Sequence, residues 1–328
     1  MLDRSPEVAP WLTPRRVGLA LVVLGALGVT GASVVSLLGG WIWPFDLLAH
    51  FRLQYAALLL VAVAAAALLR GRWATIGIGL LLLAHLVPLT PLVIGGDGPE
   101  GEGPSLRVVQ VNVLTGNSRI GETAAWLAEQ DPDVIVAQET DQRWAMGLDD
   151  GLAGWSRLPT ETIRSDNFGM AVYVRDGLEV TAVEVFDADS TPAVAAELAL
   201  PDGRTALVYA VHTLPPVGAD NVEWANEQLE TAARQVNEHV GPALVVGDLN
   251  ATRWGDSYRR LRSRVDLVDT ANGRGLRGTW PSTLWFTGMI GIDHVLVTPD
   301  VRVDDRRVGP DLGSDHRAVV VDLTLVGS

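Results

Sequence analysis

The chain has 328 residues, 48% of them hydrophobic, yet its formal net charge is −14 and its mean hydropathy is +0.22. These values rarely occur together in one soluble domain, so they argue for two parts that lie in different solvents. Cysteine is absent, which excludes disulfide scaffolds, cysteine–zinc sites and thiol nucleophiles.

The first 94 residues carry the hydrophobic excess. Residues 17–39 and 73–94 are uncharged, and a third apolar stretch, 53–69, extends back to residue 47 if His50 and Arg52 lie at the membrane interface. Because about 20 apolar residues cross the hydrocarbon core, we predict transmembrane helices at about 17–39, 47–69 and 73–94. The alternative is a signal peptide followed by buried helices, but the first stretch exceeds a signal peptide's apolar core of roughly 7–15 residues.

The arginines of this anchor predict its orientation. Arg15 and Arg16 precede the first span, and Arg70 and Arg72 lie between the second and the third. The positive-inside rule therefore places the N-terminus in the cytoplasm and everything after residue 94 outside it. We expect a multi-pass cell-membrane protein whose partners include membrane lipids.

Residues 95–105, GGDGPEGEGPS, are predicted to form a flexible linker because glycine, proline and acidic residues dominate. Eleven residues span at most about 40 Å, so the following domain is expected to stay close to the headgroups. Residues 95–328 contain 36 acidic and 19 basic residues, a net charge of −17. Such a field repels polyanions and makes nucleic acid an unlikely partner.

Residues 106–328 are predicted to form one α/β domain. Valine-rich, often alternating segments predict nine strands: Leu106–Leu114, Val134–Gln138, Met170–Val174, Leu178–Val185, Ala193–Leu200, Thr205–Val211, Ala243–Val246, His294–Val297 and Ala318–Leu325. Apolar spacing predicts three helices: Thr123–Gln130, Asn221–Val240 and Asp256–Arg264. Many strands with few helices favour two packed sheets with the helices outside.

Polar residues interrupt or follow these strands. Taken singly, each has an ordinary explanation, because a Glu or His after a strand is usually a solvated terminus and Asp and Asn favour turns. Their order is more specific: Asn112 in RVVQVNVL, Glu139 after VIVAQ, His212 after ALVYAV, Asp248 and Asn250 in GDLN, Asp293 in GIDH, and Asp315 and His316 in GSDH.

This order resembles the endonuclease/exonuclease/phosphatase superfamily, which contains DNase I-like nucleases, sphingomyelinases and inositol-phosphate phosphatases. The resemblance covers residues 106–325, and NFGMAVYVR and TWP support it. Three apolar spans before such a domain resemble a membrane-bound bacterial branch that includes a teicoplanin-resistance protein. The resemblance implies a DNase I-like four-layer α/β sandwich, two mixed sheets with outer helices, preceded by three transmembrane helices.

The residues suit phosphate-ester hydrolysis, which needs an activated water and neutralised phosphoryl charge. Glu139 is a hard ligand suited to Mg²⁺ or Mn²⁺, and the resemblance implies that Asn112 and Asp315 lie close to that metal. Asp248 and Asn250 are two apart, so in an extended segment both side chains point the same way.

The resemblance also implies a role for each remaining site residue. Asp248 would orient or deprotonate the water, and Asn250 would hold it or a phosphoryl oxygen. His316 would bind the phosphate, with Asp293 fixing its tautomer and favouring its charge. His212 would be a second imidazole on the phosphate, whereas His294 would point away.

The predicted function is hydrolysis of a lipid-linked phosphate or pyrophosphate, such as a polyprenyl pyrophosphate, at the outer face of the membrane. An anchored nuclease or a phospholipase C-like phosphodiesterase is the alternative enzyme, and a phosphate-binding pseudoenzyme is the alternative from another class. Trp254, Trp280 and Trp285 flank the motifs and are candidates for a rim that faces lipid.

Overall fold

The computed structural model describes residues 13–159, 161–187, 190–284 and 289–326. The chain forms two compact units, residues 1–90 and 91–328.

The first unit is helical. It contains the helices α1 (Pro14–Val35), α2 (Trp43–Asp46), α3 (Arg52–Leu68) and α4 (Arg72–Leu86), and the short helix α5 (Thr90–Val93) begins at its last residue. Short 3₁₀ helices at Ser36–Leu38, Leu47–Phe51 and Val87–Leu89 lie between them. The continuous helical segments Pro14–Leu38, Trp43–Leu68 and Arg72–Val93 are long and apolar enough to cross a membrane. The prediction of three candidate spans is confirmed, and their orientation stays a prediction.

Small and branched apolar residues hold the helices of this unit together. Leu59 and Ala66 of α3 are fully buried and pack with Ala26 of α1 and Ile78 of α4. Arg52, expected at the interface, donates through its guanidinium to the hydroxyl groups of Ser33 and Ser36. These two hydroxyl groups offset part of the cost of burying a charged side chain between helices.

The second unit contains two six-stranded mixed sheets. Its strands are β1 (Ser105–Asn112), β2 (Val134–Gln138), β3 (Trp155–Leu158), β4 (Met170–Arg175), β5 (Val180–Phe186), β6 (Ala193–Ala199), β7 (Thr205–His212), β8 (Ala243–Asp248), β9 (Val268–Asp269), β10 (Asp293–Val297), β11 (Val301–Val308) and β12 (Val319–Leu325). One sheet has the order β11-β12-β1-β2-β4-β3 and the other β5-β6-β7-β8-β10-β9. The pairs β1–β2 and β7–β8 are parallel, and the other pairs are antiparallel.

Helices cover the outer face of each sheet, as the four-layer sandwich prediction requires. The helices are α6 (Ile120–Glu129), α7 (Gln142–Gly151), α8 (Ala219–Glu238) and α9 (Asp256–Arg264). Leu127 and Trp144 of α6 and α7 pack on the first sheet, and Leu229 and Leu261 of α8 and α9 pack on the second. The predicted fold class is confirmed.

Between the sheets, alternate residues of both inner faces form one apolar core. Val108, Val136, Val208, Val246 and Val295 belong to it and are essentially inaccessible. Burying such a side chain stabilises the fold by about 1.5–3 kcal/mol.

All nine predicted strands exist, with ends shifted by at most two residues, as do the three predicted helices of this domain. Helix α7 was not predicted because QRWAMGLDDG is short and contains two glycines, which disfavour a helix. It begins where Asp141 Oδ1 accepts a hydrogen bond from Trp144 N at 2.8 Å. Strand β11 was not predicted because its sequence, VRVDDRRV, carries five charges, and a bulge at Val303/Asp305 leaves Asp304 and Asp305 exposed at the sheet edge.

The parallel pairing of β7 and β8 requires glycine at position 247. A Cβ atom there would lie 1.8 Å from the carbonyl oxygen of Val211, and the φ angle is +156°. We predict that Gly247→Ala destabilises the chain by about 3 kcal/mol through overpacking, which lowers the melting temperature in detergent by about 6–12 °C. Gly116→Ala is the matched control because no atom lies within 4 Å of its added Cβ. Equal melting temperatures for the two variants would contradict this account.

Candidate active site

The polar residues singled out from the sequence meet because of strand direction. The carboxyl ends of the parallel pairs β1–β2 and β7–β8 are neighbours within each sheet, so Asn112 lies beside Gln138 and His212 beside Asp248. Strand β10 runs antiparallel to β8, and its first residue, Asp293, is therefore the partner of Asp248. Strand β12 runs antiparallel to β1, so the start of β12 lies beside the end of β1.

Alternation along the strands turns these side chains inward. His212 lies two residues after Ala210, and Asp248 two residues after Val246, both of which belong to the core between the sheets. Since side chains two apart in a strand share a face, the polar residues are the last layer of that core. The site is thus the polar end of an apolar sandwich.

A carboxylate–imidazole–carboxylate series lies at its centre. His316 Nδ1 is 3.0 Å from Asp293 Oδ2, and His316 Nε2 is 3.6 Å from Asp248 Oδ2. Gln110 Nε2 donates to Asp293 Oδ1 at 2.7 Å, which holds the carboxylate from its other side. All four side chains are buried.

This burial separates the ionisation states of the three groups. Burial opposes the charge on His316, but Asp293 and Asp248 outweigh it and raise the pKa of His316 to about 10. Burial likewise opposes ionisation of Asp293, but the charge of His316 outweighs it and lowers the pKa of Asp293. Burial, reinforced by the charge of Asp293, raises the pKa of Asp248 to about 7. At neutral pH the site holds a stable ion pair beside a carboxyl group that can gain or lose a proton.

Asn112 links this series to Glu139. Its Nδ2 donates to Glu139 Oε1 at 2.9 Å and to Asp248 Oδ2 at 3.2 Å, and its Oδ1 accepts from Leu114 N at 3.1 Å. Glu139 sits just past β2 with a φ angle of +59°, and Thr115 N donates to its Oε2 at 3.2 Å. Burial raises the pKa of Glu139 despite these hydrogen bonds.

Asp315 supplies a second carboxylate near Glu139. Trp280 Nε1 donates to Asp315 Oδ2 at 3.1 Å, whereas Asp315 Oδ1 is buried and has no hydrogen-bond partner among the described residues. The negative charge of Asp315 is close enough to disfavour ionisation of Glu139. Two neighbouring carboxylates, one with an unpartnered buried oxygen, are suited to a hard divalent cation such as Mg²⁺ or Mn²⁺.

A second donor set is present in the same site. Asp248, Asp293 and His316 each offer an atom that lies within 4.8 Å of the others, so this buried group could also hold a metal ion. An imidazole must be neutral to bind a metal, and the pKa of about 10 keeps His316 protonated. The buried, unpartnered Oδ1 of Asp315 beside Glu139 is the geometric observation that favours Glu139 and Asp315 over this set.

Asn250 does not lie as the sequence predicts. Strand β8 ends at Asp248, and Asn250 has a φ angle of +46°, so the expectation of an extended GDLN segment is wrong at this residue. Asp248 Oδ1 accepts from Asn250 N at 2.8 Å, which turns the chain as an aspartate typically does. Asn250 Nδ2 donates to Thr213 O at 2.8 Å, so its amide is fixed at the rim.

His212 completes the predicted set. Its Nε2 lies 3.6 Å from Asp248 Oδ2, and its ring packs against Phe168 with centroids 5.4 Å apart. Burial and the charge of His316 lower the pKa of His212 to about 4, so this imidazole is neutral at pH 7. His294 points to the other face, as expected, where its Nε2 contacts Ala251 O at 2.9 Å.

Gln110, Gln138 and Trp280 also contact the site residues, although the order of motifs does not point to them. Gln110 Nε2 also donates to Gln138 Oε1 at 3.0 Å, and both side chains are completely buried. Gln110 and Gln138 could be recognised from the sequence, because each is a polar residue on the inward face of an apolar strand. The side-chain contact of Trp280 with Asp315 joins residues 35 positions apart and has no local signal. Trp285 lies outside the described residues.

Comparisons with known proteins identify the family and the fold of this chain. The model of the Endonuclease/Exonuclease/phosphatase family matches residues 109–316, more than half of the chain. An endonuclease/exonuclease/phosphatase from Bacteroides vulgatus is 20% identical over 68% of this chain and 99% of its own, with a TM-score of 0.57.

Two further solved structures show the same fold. A mannosyl-6-phosphatase from Bacteroides thetaiotaomicron is 20% identical over 67% of this chain and 99% of its own (TM-score 0.54). The D. rerio TDP2 structure with single-strand DNA product is 15% identical over the same shares of the two chains (TM-score 0.56). A comparison with curated proteins gives no match.

The ion pair at the centre of the site makes a pH prediction for the metal-free chain. The pKa of His316 is raised from 6.5 to about 10, so its stabilising contribution is complete below about pH 6.5 and is lost as the pH rises through 10. We predict that Asp293→Asn lowers the pKa of His316, because Asp293 contributes most to raising it, through both its charge and its hydrogen bond. Imidazole NMR titration of the ¹³C-histidine-labelled full chain, which has six histidines, measures this shift. An unchanged pKa would refute the pairing.

Proposed function

This chain belongs to the endonuclease/exonuclease/phosphatase family, and from that premise we propose that it is a divalent-metal-dependent phosphohydrolase of lipid-linked phosphates or pyrophosphates. Members of this family are metal-dependent phosphoesterases, and two structures with this fold are a sugar phosphatase and a DNA-bound TDP2. A polyprenyl pyrophosphate at the outer face of the membrane is the substrate that fits this chain best.

The environment of Asp248 Oδ2 carries the proposal. Asn112 Nδ2 lies 3.2 Å from this oxygen, and the Nε2 atoms of His212 and His316 each lie 3.6 Å from it. An amide, a neutral imidazole and an imidazolium surround this carboxylate and fix its position. From that position it can accept a proton. A pKa of about 7 suits a general base at neutral pH.

The other groups divide the remaining tasks. The His316 imidazolium, fixed by Asp293, attracts a phosphoryl oxygen and stabilises the charge that develops on it. His212 is neutral and can either donate to or accept from the phosphate or the attacking water. The Asn250 amide lies at the rim beside Asp248 and can orient the water.

Glu139 and Asp315, with Asn112 beside them, would hold the metal ion. Their oxygen donors match the hard ligands that Mg²⁺ and Mn²⁺ prefer. The bound ion supplies neutralisation of the phosphate charge and a fixed orientation for the leaving oxygen. The protein residues above supply the proton transfer and the positioning.

The substrate class follows from the rest of the chain. Three candidate spans tie the domain to a membrane, and the arginine distribution supports an extracytoplasmic position for the domain. The net charge of −17 after residue 94 disfavours long polyanions, whereas one phosphate group on a lipid avoids most of that repulsion. Membrane lipids are therefore the proposed partners.

A nuclease or a phospholipase C-like phosphodiesterase is the second candidate, because the TDP2 structure with the same fold holds single-strand DNA. A phosphate-binding pseudoenzyme is less well supported. A binding protein has no need for a carboxyl group whose pKa lies near 7 beside a complete hydrogen-bonded series.

We predict metal-dependent release of phosphate from undecaprenyl pyrophosphate by the full chain in nanodiscs. Activity should disappear with EDTA and return with Mg²⁺ or Mn²⁺, because Glu139 and Asp315 cannot bind phosphate without a cation between them. Phosphate release is measured across lipid pyrophosphates, nucleotides, phosphoinositides and DNA. Efficient DNA cleavage without release from the lipid would establish the nuclease instead.

Asp248→Ala separates an enzyme from a binding protein. We expect turnover to fall by about 100- to 10,000-fold because the general base is lost, while the affinity for the lipid pyrophosphate is kept. Asp266→Ala, which removes an exposed carboxylate, is the control and should leave turnover unchanged. Full activity of Asp248→Ala would exclude the proposed role of this residue.

A further inference from the structure

A cavity of about 480 Å³ lies next to the active site but contains none of its residues. Its lining comes from one loop and from two neighbouring strands, and consists of Leu276, Arg277, Gly278, Met289, Val308, Gly309 and Arg317. Val308 ends β11, and Arg317 lies just before β12. The cavity therefore sits where the edge of the first sheet meets the loop that precedes β10.

The cavity and the active site share a wall. Arg317 directly follows His316, and Arg317 N donates to Thr279 O at 2.9 Å. Thr279 Oγ1 in turn accepts from Asp293 N at 3.4 Å. A ligand in the cavity would thus contact the loop whose next residue, Trp280, donates to Asp315.

The charged groups of the cavity are arginines without acidic partners. Arg277 and Arg317 line it together with no acidic residue, and neither makes an ion pair within the described part of the chain. Arg317 Nη2 donates only to Ser282 O at 3.3 Å, and its buried Nε has no partner there.

Arg306 adds to this positive charge. It lies two residues from Val308 on the same face of β11 and is 8% exposed. It makes no hydrogen bond or ion pair to any described side chain, although Asp269 and Asp293 attract it from a greater distance. Arg277 is close enough to repel it.

In a second cavity of this domain, the lining arginines pair with aspartates. This cavity, of about 440 Å³, holds Arg107 and Arg175 among four aspartates. Arg107 pairs with Asp322, and Arg175 pairs with Asp131 and Asp133. In a domain rich in acidic residues, arginines that line a cavity without such partners indicate an anionic ligand.

The remaining lining is apolar. Leu276, Met289 and Val308 give the cavity a hydrophobic side. The same loop exposes Trp280 at 36% and Leu284 at 49% of their surfaces. A ligand that satisfies both sides carries a negative charge next to an apolar chain.

We propose that this cavity is an accessory binding site for the phosphate headgroup of a membrane lipid. Arg277 and Arg317 bind the phosphate, for which the planar guanidinium is well suited, and Leu276, Met289 and Val308 contact the start of the chain. The proposal goes beyond hydrolysis, because binding here requires neither the metal nor the general base.

Calorimetric titration of the full chain in detergent and EDTA tests the site. Farnesyl phosphate is the probe. Inorganic phosphate and farnesol are titrated separately as its charged part and its apolar part. We expect the Arg277→Gln/Arg317→Gln double variant to bind farnesyl phosphate at least 10-fold more weakly than the wild type. Inorganic phosphate and farnesol should each bind at least 10-fold more weakly than farnesyl phosphate.

Three further variants make the test specific. Arg234→Gln removes an exposed arginine of α8 that donates to Thr231 Oγ1 at 3.5 Å, outside the cavity, and should change nothing. Arg277→Glu changes an exposed residue, so it should fold normally and still weaken binding at least 10-fold. His316→Gln disables the catalytic site and should keep the farnesyl phosphate affinity. Wild-type affinity in both Arg277→Glu and the double variant would overturn the proposal.

Kinetics in phosphatidylcholine nanodiscs distinguish the two sources of the lipid. If the cavity takes the substrate, the double variant raises the KM for undecaprenyl pyrophosphate at least 10-fold and leaves kcat within about twofold. If it takes a bilayer lipid, KM is unchanged, and phosphatidylglycerol competes with farnesyl phosphate in the wild type alone. A chain that binds farnesyl phosphate through these arginines but hydrolyses nothing would refute the proposed function and leave this site standing.

Discussion

The buried ion pair between Asp293 and His316 is the interaction on which the polar end of this domain depends. Asp293 is 1% exposed, and a carboxylate at that depth is stable only when it is paired and hydrogen-bonded. His316 pairs with this carboxylate, and Gln110 donates a hydrogen bond to it. Gln110 belongs to β1 and His316 precedes β12, both in the first sheet, whereas Asp293 is the first residue of β10 in the second sheet. The pair therefore joins the two sheets where their apolar core ends, and its charges set the ionisation of Asp248.

The same physical rule, that buried charges are paired, also describes the other charged residues of the second unit. Buried or half-buried arginines pair with aspartates, as Arg107 does with Asp322, and the excess acidic residues lie in solvent or in the site. Arg306 and Arg317 have no acidic partner within hydrogen-bond distance among the described residues, and the exposed Arg277 lies beside them at the wall of the active site. Three candidate membrane spans, a polar site suited to one phosphate and a cationic cavity with an apolar side are consistent with the proposed ligand, a phosphate carried on a lipid.

Much of the candidate site was predictable because strand alternation is a local property. Asn112, His212 and Asp248 each extend an inward-facing apolar series, so their common direction can be inferred without a structure. Strand alternation does not extend to Asn250, because Asp248 Oδ1 accepts a hydrogen bond from the Asn250 backbone N–H and turns the chain out of the strand. Strand β11 has no clear alternation in its sequence, since an edge strand with solvent on one side tolerates charged residues.

The sequence by itself determined the division into an apolar anchor and an acidic α/β domain, and the identity of the polar residues at the strand ends. Hydropathy and period-two alternation depend only on neighbouring residues, so a linear pattern contains them. Only the tertiary structure decided which of these residues touch, that Trp280 holds Asp315, and that Asp248 and His316 have pKa values of about 7 and about 10. Those properties arise from pairing between distant strands and from the removal of water, which no local pattern specifies.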